Sequence, residues 1–126
     1  MNRIIYSVII FILATGCYDK IGYRKIKNPL ELQESIGHKV FLTGRISDTP
    51  WQHIVANTPE YPNSYYFDIK DSQIIIYSAS AIDCSEQLNI YGTVIEVKGL
   101  SKHAESEDDT FTEYHITIDK WECDEQ

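Results

Sequence analysis

Four histidines (His38, His53, His103, His115) and three cysteines (Cys17, Cys84, Cys123) are the side chains best suited to hold a metal, move a proton or act as a nucleophile. Spacing decides whether they do. The chain has no H-E-x-x-H, no C-x-x-C, no G-x-S-x-G and no glycine-rich phosphate loop. The histidines share no ligand spacing. His53 and His115 are the pair able to converge, one from a long loop and one from the last strand-like segment. With a carboxylate they would form a metal site or the base of a small hydrolase. Because no spacing joins them, the sequence assigns no catalytic residue, no metal ligand and no cofactor. The expected role is noncatalytic binding, and a metal-dependent or hydrolytic enzyme using His53 and His115 is the alternative.

A second group of residues points to binding. The stretch DTPWQHIVANTPEYPNSYYFD, residues 48–68, sets Trp51, His53, Tyr61, Tyr65, Tyr66 and Phe67 among three prolines. Connecting loops are usually short and polar, so this one is expected either to line a cleft or to cover one end of the fold. Trp and Tyr suit both tasks, having an apolar body and a polar tip. As a cleft wall, Trp51, Tyr61 and Tyr66 supply flat faces, and Gln52, His53 and Asp68 supply polar contacts. If Tyr65, Phe67 and Ile69 face the core, Tyr66 and Asp68 face the cleft.

The segments around this loop read as strands. KVFLTGRIS (39–47), SYYFDI (64–69), QIIIYS (73–78), LNIYGTVIEVKG (88–99) and YHITIDKWEC (114–123) carry β-rich, partly alternating patterns. In the last, Tyr114, Ile116 and Ile118 fall on one face, with His115, Thr117, Asp119 and Trp121 on the other. NPLELQESIG predicts one short helix, capped by Asn28 with Pro29 and Glu31 in the first turn and offering Leu30, Leu32 and Ile36 for packing. Gly44, in the middle of the first strand, permits the bend by which one strand serves two sheets, and Gly92 repeats the device. The predicted fold is all-β, a five-stranded Greek-key OB-fold barrel with a short N-terminal helix. That fold grips ligands between the loops joining strands one to two and four to five. Here these are the aromatic stretch and GLSKHAESEDDTFTE (99–113).

The N-terminus places the molecule. MNRIIYSVIIFILATGC has a basic residue, an apolar run over Ile4–Ala14 and small residues before Cys17, the pattern of a secretory signal. The run is too short for the roughly 20 residues of a spanning helix. Ala14-Thr15-Gly16-Cys17 resembles the lipobox of bacterial lipoproteins, with Ala14 where Leu is usual. The resemblance implies that residues 1–16 are removed and Cys17 is acylated. It also implies an envelope location, at the outer membrane where the cell has one, since Tyr18 is not the Asp that retains such proteins at the inner membrane. Residues 17–27 form a basic tether, able to lie on anionic head groups or to act as a solvated spacer, and 28–126 form the domain. With Cys17 lipidated, Cys84 and Cys123 remain as a pair in an oxidising compartment. They pair if the third and fifth strands run parallel and end at one rim; otherwise they are free thiols. FLTGRISDTPWQH, SYYFDI, IYGTVIEVKG and YHITIDKWEC also resemble uncharacterised bacterial OB-fold lipoproteins, a likeness that brings no activity with it.

Charge narrows the ligand. From Asn28 onward there are 6 basic and 18 acidic residues, a net of −12. Many OB-folds stack nucleic-acid bases on aromatics inside a positive groove. This surface would repel phosphate, so no nucleic acid is expected. The expected partners are the membrane, through the lipid, and a cationic or amphipathic small molecule or a basic patch on an envelope protein.

Overall fold

A computed structural model of the chain describes residues 22–51, 53–100 and 110–124. The expectations for the leader, Cys17, Gln52 and the acidic tip ESEDD lie outside the described residues. The described residues form six strands: β1 (Arg24–Lys25), β2 (Lys39–Ile46), β3 (Asn63–Ile69), β4 (Ser72–Ser78), β5 (Leu88–Leu100) and β6 (Thr110–Cys123). The five longer ones match the five strands read from the pattern. The short β1 pairs parallel to β2 at Val40 and Phe41, so the sheet reaches back into the basic tether.

The sheet closes into a ring. β2 pairs with β3, β3 with β4, β4 with β6, β6 with β5, and β5 with β2 again. All of these pairings are antiparallel except β4–β6, which is parallel at Ile76–Ile116 and Tyr77–Thr117. β2 is shared between both neighbours, and Gly44 sits at the handover. It is the last residue of β2 paired to β5, and Arg45 is the first paired to β3. A Cβ at Gly44 would collide with the Asp68 carbonyl and the Phe67 ring, and one at Gly92 with the Thr117 carbonyl. Both glycines therefore serve close strand approach.

The core inside the ring comes from alternate positions: Val40 and Leu42, Phe67 and Ile69, Ile74 and Ile76, Leu88 and Ile90, Ile116 and Ile118. Each such side chain contributes about 1.5–3 kcal/mol when fully buried. Tyr65 packs on this core, so β3 has the register that turns Tyr66 and Asp68 outward. Trp121 departs from its expected face. Gly92 pairs with Ile118 and Tyr91 with Lys120, which leaves Asp119 as an extra residue. This bulge resets the alternation, and Trp121 turns inward to pack against the core. The bulged Asp119 accepts from Lys39 Nζ at 2.6 Å and the Tyr23 hydroxyl at 3.1 Å.

The helix is a 3₁₀ helix over Pro29–Ser35 with Asn28 as its cap. Three residues per turn put i and i+3 on one face, so Leu32 and Ser35 are buried together while Leu30 is 77% exposed. Leu30 and Ile36, expected to pack, do not. Cys84 and Cys123 form a disulfide, with Cα atoms 5.8 Å apart, at the end of β6 where Cys123 pairs with Leu88 of β5.

Candidate functional site

The strand β4, QIIIYS, fails to alternate: from Gln73 to Ser78 every residue is buried. Ile74 and Ile76 face the core, so Gln73, Ile75 and Tyr77 must be covered from outside. The cover is the aromatic loop, residues 47–62, which lies across the outer face of β3, β4 and β6 as a strap.

Three side chains from the sheet tie it down by its backbone. The Gln73 amide oxygen accepts from Trp51 N at 2.6 Å, while its nitrogen donates to Ser47 Oγ, the Thr49 carbonyl and Asp68 Oδ1. The Glu113 carboxylate accepts from Ile54 N at 3.0 Å and from His53 Nδ1 at 2.7 Å. The Tyr77 hydroxyl accepts from Ala56 N at 3.0 Å. The Ile54 side chain sits where a Cβ on Gly99 would fall.

These anchors connect to one another. His115, fully buried, places Nε2 3.1 Å from Glu113 and Nδ1 2.8 Å from the Tyr77 hydroxyl. Burial pushes the Glu113 carboxyl up. The bonds from Ile54 N–H, His115 and His53 outweigh that and hold it below the usual carboxylate range. Burial pushes His115 down more than Glu113 restores. Tyr77 is pushed up by burial, partly opposed by the Ala56 N–H. An ionised Glu113 only accepts, so His115 donates from Nε2 and receives the Tyr77 O–H at Nδ1. The result is a proton-ordered line: Tyr77 to His115 to Glu113, with His53 donating to Glu113 from the other side.

The expected convergence of His53 and His115 is therefore present, with Glu113 between them. Both nitrogens of His115 are engaged, and no cluster of three metal-binding side chains occurs among the described residues. His38 is exposed and apart from these contacts.

The other expected binding residues divide. Trp51, 54% exposed, lies nearly parallel to the His53 ring at 6.5 Å, and the Tyr66 ring is tilted against His53 at 5.8 Å. Asp68 is used by Gln73. Tyr61 belongs to a separate recess of about 390 Å³ between the strap and the sheet, lined by Ala56, Pro59 and Tyr61 above and Tyr77, Ile95 and Thr117 below. Glu113 and Tyr77 were missed as site residues. The available signals were Glu113-x-His115, two residues that share a face in a strand, and the unbroken apolar run of β4, which calls for cover on both sides.

No protein-family model matches this chain, and no curated protein matches it significantly.

Proposed function

We propose that this chain is a lipid-anchored protein of the cell envelope whose ring is an OB-fold barrel of Greek-key order, acting as a noncatalytic binding module. The signal-like leader and the lipobox at Cys17 support the anchor. The handover at Gly44 and the parallel β4–β6 seam support the fold. The ligand is amphipathic, and cationic rather than anionic, or it is a basic patch on an envelope partner.

One observation carries the binding reading: the apolar recess under the strap. Its volume falls within the usual range for small-molecule sites, about 300–1,000 Å³, and its floor includes Tyr77 of β4, a strand corresponding to one of the two that an OB-fold uses for ligands. The acid-rich composition selects against anions. Titrating the full chain with Nile red, a neutral solvatochromic dye, tests the reading. Saturable blue-shifted emission, weakened severalfold by Tyr61→Ala with little change in thermal midpoint, is the expected outcome. No saturable signal, or binding indifferent to Tyr61→Ala, would remove the recess as a site. For the anchor, Cys17→Ser should release the protein from the membrane fraction.

A further inference from the structure

We propose that His53 Nε2 is a subsite for the N–H of a primary ammonium group carrying a short apolar substituent. The inference rests on reading the strap-covered face as a ligand-binding face, but concerns a different part of it from the Tyr61 recess.

His53 Nδ1 donates to Glu113 Oε1 at 2.7 Å. In its neutral form the ring then carries its lone pair on Nε2, and Nε2 is buried without a hydrogen-bond partner among the described residues. Buried acceptors are seldom left unpaired in folded proteins, and an imidazole whose other nitrogen is held by a carboxylate is a strengthened acceptor. The missing component is a donor.

The surroundings select its charge. Trp51 lies nearly parallel to the His53 ring at 6.5 Å, and Tyr66 is tilted against it at 5.8 Å, so two aromatic rings stand beside the imidazole, and aromatic faces attract cations. His53 and Glu113 line a depression of about 400 Å³ together with Leu32, Gln73, Ile74 and Phe111. Among the described residues lining it, the one carboxylate is Glu113 and no lysine or arginine is present. A donor that is positively charged and bears a hydrocarbon group matches all three features: lone pair, rings and apolar wall. An anion has no proton for the lone pair and is repelled by Glu113.

The full chain at pH 8 is titrated with 2-phenylethylamine, which is protonated there, and with its N,N,N-trimethyl analogue, which keeps the charge and loses every N–H. Long-range ¹H–¹⁵N NMR reads the Nε2 resonance of His53 directly in the unaltered protein. A saturable upfield shift of that resonance with the primary amine, and binding of the trimethyl analogue weaker by about tenfold or more, support the site. His53→Phe should reduce amine affinity by about tenfold or more while Nile red still binds. An unmoved Nε2 at saturating amine, or equal affinity for the two amines, overturns the proposal; if His53→Phe does not fold, these two readouts decide it alone. An amine-dependent shift without Nile red binding would sink the recess and leave this subsite standing, and the reverse result would do the opposite.

Discussion

Glu113→Ala is the most informative single change. The carboxylate accepts three hydrogen bonds, from Ile54 N, His53 and His115. A bond to a charged group contributes about 1.5–3 kcal/mol. The three share one carboxylate, whose side chain is 20% exposed, so they do not add fully. The larger cost comes from His115, which would keep a buried N–H with no acceptor, at about 1–3 kcal/mol. A net loss of about 3–5 kcal/mol is expected. In a domain of this size each kilocalorie lowers the midpoint by about 4–8 °C, so the fall should exceed about 10 °C. Urea denaturation with thermal scans measures it. Glu113→Gln, which retains one acceptor oxygen, should fall between the two. A loss under about 1 kcal/mol for Glu113→Ala would refute the idea that this carboxylate holds the strap.

Acid should destabilise the fold in two steps. The folded pKa of His115 lies below its ordinary value, so its contribution is intact above about 6.5 and is lost as pH falls from there toward the folded value. Glu113, also lowered, contributes above the ordinary carboxyl range and is lost as pH falls through its folded pKa. Thermal midpoints against pH should lose the upper step in His115→Gln and the lower in Glu113→Gln. Gly44→Ala forces a methyl into the Asp68 carbonyl and the Phe67 ring; a loss of more than about 2 kcal/mol is expected in urea. Reducing Cys84–Cys123 opens a cross-link between residues 39 apart in sequence and should cost about 4 kcal/mol, read as a lower midpoint with a reductant present.

The fold was legible wherever a local pattern had one physical meaning. β-rich, partly alternating runs located the five long strands, and Gly44 marked the handover because a central glycine in a strand has few other uses. The Cys84–Cys123 bridge was legible from the cysteine count, once Cys17 was set aside for lipid, and agreed with the expected strand directions. Three features resisted. β1 is two charged residues held by backbone pairing and by the Arg24 bond to Ser35 Oγ, with no side-chain pattern to announce it. The Asp119 bulge shifts parity without a compositional mark, which is why Trp121 was assigned outward. The 3₁₀ helix exposes Leu30 because its period differs from that of an α-helix. At the site, His53 and His115 were legible as candidates. Their link was not, because Glu113 sits beside the acidic run 105–109 and reads as one more solvated charge. Only the strap's path across β6 makes it the anchor.

The central claim is that the aromatic loop is fastened to the outer sheet face and forms the binding surface with it. Amide hydrogen exchange at Ile54 and Ala56, whose N–H groups bond to Glu113 and Tyr77, tests this most directly. The account expects both amides to be protected well beyond the neighbouring Thr58 and Glu60, and protected further when Nile red is bound. Exchange at the rate of an unstructured peptide at both positions would contradict it.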